Sequence, residues 1–210
     1  MPRKDYEALK QLWQQDSING YFLQHEKSDP NFARCIMKLR KDGTQIVEKS
    51  SANVKMHQGI YLDIFPIDFV KDNDPKRINK QAKKIRRLMS LRTIKSGYLG
   101  RYQKTKNLIR ILLFAVPVSL IDKKLYSLCT KENSEDAPYA ILYLHNYNWQ
   151  KQLHKKEVFG EGKEIEFEGL KFNAPNETDT FLKKVFGENY QEDPPKEKQK
   201  TPHNYITVKF

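Results

Sequence analysis

Apolar positions at helical spacing open the chain: Tyr6, Leu9, Leu12 and Trp13 follow a proline suited to a first turn, which predicts a helix over roughly residues 3–15. Asp16 to Gly20 breaks it. Tyr21-Phe22-Leu23, Ala33 to Leu39 and Gln45 to Glu48 then read as strands, the last two joined as a hairpin through Lys41-Asp42-Gly43. From Gly59 to Asp68 the alternation has period two. It predicts a strand with Ile60, Leu62 and Ile64 on one face and Tyr61, Asp63 and Phe65 on the other. Pro66 ends that ladder because it has no N–H to donate, and Asp68 falls on the exit turn.

From Pro75 the period changes to that of a helix. Ile78, Ala82, Ile85 and Met89 share one face and the intervening positions are mostly Lys and Arg. Gly97 to Gly100 interrupts, and a second helical stretch from about Lys104 runs into the apolar segment Ile111 to Ile121. That run is too short to span a bilayer and contains Pro117, so it reads as a buried core helix, with an interfacial membrane contact as the alternative. Asn133 to Pro138 reads as a loop and Tyr139 to Leu144 as a strand. Glu164 to Phe167 and Leu170 to Phe172 form a hairpin around Glu168-Gly169. Asn176 is placed to cap a last helix with Phe181, Leu182, Val185 and Phe186 inward and Gly187 at its end. The tail from Asp193 to Asn204 is polar and predicts no element.

A length of 210 residues suits one core of α+β type, with a polar surface given a mean hydropathy of −0.79. The net charge of +12 is unevenly placed: between Pro75 and Lys124 fifteen Lys and Arg face one acid, Asp122. Such a block points to an anionic partner, whether nucleotide, nucleic acid, phosphorylated glycopolymer or membrane surface, or else to a solvated basic face. Cys35 and Cys129 lack metal-ligand spacing and read as buried reduced thiols of a cytoplasmic protein. The charged start Met1 to Tyr6 lacks a signal-peptide core.

The candidate chemistry sits in Gly59 to Asp68. A carboxylate on a strand among aromatics loses hydration and needs a donor, a cation or a metal ion. Two readings stay open: Asp63 and Asp68 serve metal-assisted chemistry at a sheet rim, or Asp63 pairs with a lysine while Asp68 caps the next element. Tyr61 and Trp149 read as core residues.

Several segments together resemble the LicD family of phosphotransferases, related to the fukutin-type enzymes within the nucleotidyltransferase-like superfamily. They are Met1 to Glu7, Gly59 to Asp68, Phe167-Glu168-Gly169 with Ala174-Pro175, Phe186 to Tyr190 with Pro194-Pro195, and His203-Asn204. The resemblance implies one domain with a nucleotidyltransferase-like mixed sheet in residues 1–74, a basic helical segment in 75–132, and a hairpin, helix and polar tail in 133–210. It further implies Mg²⁺- or Mn²⁺-dependent transfer of a phosphoryl-alcohol group, typically phosphocholine from CDP-choline, to a sugar hydroxyl of a cell-surface glycopolymer, at the cytoplasmic face of the membrane. In that scheme Asp63 is the metal-facing catalytic carboxylate and Asp68 the second choice, while Arg3, His57 and His203 approach the substrate. The family's aspartate run would precede Met1, so the metal site is expected to be incomplete, by truncation or in a remnant without catalysis. A nucleic-acid module using the basic helices with Tyr98 and Tyr102 as stacking platforms is the alternative from another class.

Overall fold

The computed structural model describes residues 1–134, 136–145, 147–199 and 203–210. Glu135 of the expected loop and Lys200 to Pro202 of the expected polar tail lie outside the described residues. The chain is α+β. Its helices are α1 (Arg3–Gln15), α2 (Pro75–Lys95), α3 (Gln103–Leu112), α4 (Val118–Cys129), α5 (Trp149–Gln152) and α6 (Thr178–Phe186). The strands are β1 (Tyr21–Gln24), β2 (Met37–Lys41), β3 (Gln45–Glu48), β4 (Tyr61–Ile64), β5 (Asp68–Val70), β6 (Tyr139–Ile141), β7 (Leu153–Lys155), β8 (Lys163–Phe167), β9 (Leu170–Ala174) and β10 (Tyr205–Lys209). They form small antiparallel sheets in the orders β1-β2-β4, β10-β3, β5-β6-β7 and β8-β9.

The sheet β1-β2-β4 is two-faced. Leu23, Met37 and Ile64 point to one side, where Tyr6, Leu9 and Trp13 of α1 close over them. The other side carries two cross-strand rows, Phe22–Arg40–Tyr61 and Gln24–Lys38–Asp63. Gly59 lets the chain enter β4 closely, since a Cβ there would strike the Lys41 carbonyl. The larger core joins α2 (Ile78, Ala82, Ile85), α4 (Ile121, Leu125, Cys129), Val70, Ile141 and Phe32. Buried Arg92 ties these layers together, giving hydrogen bonds to Asp122 on α4 and to the carbonyls of Pro30 and Phe32.

Four expectations are corrected. Strand β2 begins at Met37, because Ala33 and Ile36 are buried as core without entering a ladder. The turn at Asp42-Gly43 forms, but β3 does not pair with β2: both edges of β2 are taken by β1 and β4, and β3 pairs with β10 from the tail instead. The apolar run Ile111 to Ile121 is not one buried helix. It breaks before Pro117 into α3 and α4, and of the run only Ile121 is buried. On α6 only Val185 is buried, with Phe186 exposed and Glu177 in place of Asn176 at the cap position.

Candidate functional site

The polar face of β1-β2-β4 gathers charge that the strand alternation placed there. The Lys38 ammonium lies 2.7 Å from Asp63 Oδ1 and 3.1 Å from the centroid of the Tyr61 ring. Arg40 lies over the same ring, donating from Nε to Gln24 Oε1 (2.6 Å) and from Nη1 to the Gly59 carbonyl (2.7 Å). Gln24 in turn donates to Asp29 and to the His57 carbonyl. The Tyr61 hydroxyl donates to Glu48 Oε1 (3.3 Å), which also stands 3.5 Å from His203 Nδ1, while Arg34 reaches the other Glu48 oxygen at 3.8 Å. Asp63 and His203, far apart in sequence, are thereby linked through Lys38, Tyr61 and Glu48, because β10 folds back beside β3.

Burial dominates the electrostatics of this cluster. It lowers the Lys38 pKa from 10.5 to about 8, outweighing the attraction of Asp63, and lowers that of Arg40 as well. It raises Tyr61, with Glu48 adding to the effect. Asp63 keeps its side chain 35% exposed, so it is the acid of the pair that solvent and a ligand reach.

Among the described residues no strand pairs with the edge of β4 next to Asp63. Lys41 donates to the Ile60 carbonyl, so by antiparallel alternation Leu62 and Ile64 bond to β2 while Tyr61, Asp63 and Phe65 turn their backbone groups outward. Among the described residues the end of that edge alone is occupied. The Met1 amine donates to the Phe65 carbonyl (3.2 Å), Ile67 N–H to Met1 O (2.8 Å) and Arg3 N–H to Ile67 O (3.0 Å), a short parallel contact through Pro2 and Ile67.

The remaining sequence candidates are placed elsewhere. Asp68 is fully buried on β5, and its two oxygens accept from Arg3 Nε (2.8 Å) and Nη2 (2.7 Å), with Asn133 donating as well. This bidentate pair locks α1 to β5, which accounts for both residues and points neither toward the polar face of β4. His57 stacks on Phe22 with Nε2 2.9 Å from Asp42, at the β1 end of the polar face. Tyr98 is buried, accepting a hydrogen bond from Ala33 N–H, so it is no stacking platform, whereas Tyr102 is exposed. Trp149 packs against the large core as expected.

Among the described residues no group of three or more His, Cys, Asp or Glu is arranged to hold a metal ion. The lone carboxylate at β4 is already neutralised by Lys38. The described donors therefore do not fit the divalent ion that the family resemblance implies.

On the α1 side of the molecule a cleft of about 740 Å³ opens between α1, the Glu26–Pro30 segment and α4. Arg3, Tyr6 and Leu125 line it together with both thiols. Burial pushes Cys35 up to about 12 and raises Cys129 too, so neither is a reactive thiolate near neutral pH.

Lys38, Arg40, Gln24 and Glu48 went unnoticed in the sequence. Their signal was the alternation of Met37-Lys38-Leu39-Arg40, which sets both cations opposite the apolar pair. In comparisons with protein-family models, curated proteins and solved structures, nothing matches the chain.

Proposed function

We propose that the chain serves phosphoryl-alcohol transfer of the LicD type, contributing the surface that holds an anionic donor such as CDP-choline and orients the hydroxyl of a glycopolymer acceptor. The observation that carries this reading is the Lys38–Asp63 pair: a partly desolvated ammonium beside a solvent-reachable carboxylate on the polar face of a sheet. Phosphoryl transfer needs positive charge against the donor's diphosphate and an acceptor for the incoming hydroxyl's proton, and little covalent chemistry from the protein. In the proposed step the sugar oxygen attacks the phosphorus bearing the alcohol, the bond from that phosphorus to CMP breaks, CMP leaves with the electron pair, and the hydroxyl proton passes to Asp63. Lys38, with Arg34 at its exposed flank, offsets charge on the diphosphate. In this reading β1-β2-β4, with α1 on its apolar face, is part of a nucleotidyltransferase-like sheet. No step is assigned to a metal ion, which these residues do not hold unaided.

The test is calorimetric titration of the chain with CDP-choline. Binding should weaken about tenfold in Lys38→Met, the loss expected for one charge-assisted contact, and persist in Asp63→Asn. Absence of binding, or binding indifferent to Lys38→Met, would count against the assignment.

A further inference from the structure

The α3–α4 hairpin exposes apolar side chains that nothing among the described residues covers. No residue of α3 is buried; Ile111, Leu112 and Phe114 are 69%, 73% and 85% exposed, and Leu108 and Leu120 are exposed with them. Leu108, Ile111 and Leu112 fall at i, i+3 and i+4, so they form one stripe that runs into Phe114 at the tip. The tip is fixed in place: Lys95 at the end of α2 donates to the carbonyls of Leu113 (2.6 Å) and Phe114 (3.1 Å).

Cations bracket this stripe. Lys104 precedes Leu108 by one turn on α3 and Lys124 follows Leu120 by one turn on α4, while Arg110 and Lys123 are exposed elsewhere on the same two helices, Lys123 lining the cleft beside α1. Among the described residues none of these four is joined to an acid by an ion pair. An exposed apolar ridge with an unpaired lysine at either end is the profile of a helix lying in the interface of an anionic bilayer, with apolar side chains among the acyl chains and lysines reaching back to phosphates. Among the described residues no helix is long and apolar enough to cross a membrane.

We infer that the α3–α4 tip, through Leu108, Ile111, Leu112, Phe114 and Leu120 with their flanking cations, docks the protein onto an anionic lipid surface. The occupant is a bilayer and not a second copy of the chain, because a copy would bring the same unpaired cations against one another. The inference stands apart from the phosphotransfer reading, since its readout needs no nucleotide and no turnover.

The experiment is co-sedimentation of the full chain with vesicles of phosphatidylcholine alone and of phosphatidylcholine mixed with phosphatidylglycerol. Binding should require phosphatidylglycerol, decline as salt is added, and drop about tenfold in the double variant Leu112→Asp with Phe114→Asp and in Lys104→Glu with Lys124→Glu. All four positions are exposed, so circular dichroism and the urea midpoint should match the parent chain. Failure to sediment with anionic vesicles, or sedimentation unaltered by the Leu112→Asp and Phe114→Asp pair, would overturn the inference. So would a dimer in light scattering that the same pair dissolves while the parent ignores vesicles.

Discussion

Replacing Lys38 with methionine separates charge from packing on the polar face. The ammonium is nearly buried with an Asp63 oxygen 2.7 Å away, yet burial wins and brings its pKa from 10.5 to about 8. That change corresponds to about 3 kcal/mol by which folding disfavours the charged form. Between those two values the unfolded chain keeps the proton and the folded chain has released it, so the unfolded state binds more protons and stability rises with pH across the window. Below the folded value both states are protonated and the whole penalty is present. In Lys38→Met the group is gone, while Asp63 remains partly solvated and tolerates the loss of its partner. The stability of the variant relative to the parent should therefore be most favourable near neutral pH and decline by about 3 kcal/mol as pH approaches the ordinary lysine range. Urea unfolding of both chains at stepped pH measures the gap. Parallel profiles, with a constant gap, would refute the reasoning. A stabilised variant that binds donor less well would mean that the cluster is held for its chemistry at a cost to the fold.

Two other perturbations probe the scaffold. Asp68→Ala leaves the Arg3 guanidinium buried without its bidentate partner and should lower stability by about 3–5 kcal/mol in urea unfolding; an unchanged midpoint would show that the pair does not hold α1 to β5. His154 is buried against Phe159 and Phe181, and burial, with Lys184 adding, lowers its pKa from 6.5 to about 4. The unfolded chain takes up that proton first on acidification, so stability should fall as pH drops between those values, and His154→Phe should flatten that limb in a thermal-melt series.

What the sequence disclosed follows the range of the forces involved. Helices α1 and α2 were legible because one apolar face repeats over several turns, and Pro75 with Asp74 marks the start of α2 through a side-chain cap on Lys76 N–H. The β8–β9 hairpin was legible from its two-residue turn, where Glu168 and Gly169 both take positive φ. Pairings across long separations were not. Nothing local in Gln45–Glu48 says that its partner lies in Tyr205–Lys209, and that pairing is what brings His203 to Glu48. The segment Ile111 to Ile121 misled because hydrophobicity reports what a side chain avoids and not whether this fold has room for it. Asp63 was singled out for its lost hydration, and the partner that answers it, Lys38, sits directly across the ladder, which is the lysine alternative the alternation left open.

Two contacts flank the charged cluster: Met1 lies against Phe65, two residues past Asp63, and Tyr205 at the start of β10 lies against Glu48. A purification tag joined at Met1 would then be delivered beside Asp63, whereas β10 runs away from Glu48 and sets Lys209 against Gln45. A polyhistidine tag at Met1 would add imidazoles next to Asp63 and bring metal affinity that no described group of side chains provides. Assays of nucleotide or divalent-ion dependence should therefore be run on material from which the handle has been cleaved, with the tagged form kept as a control.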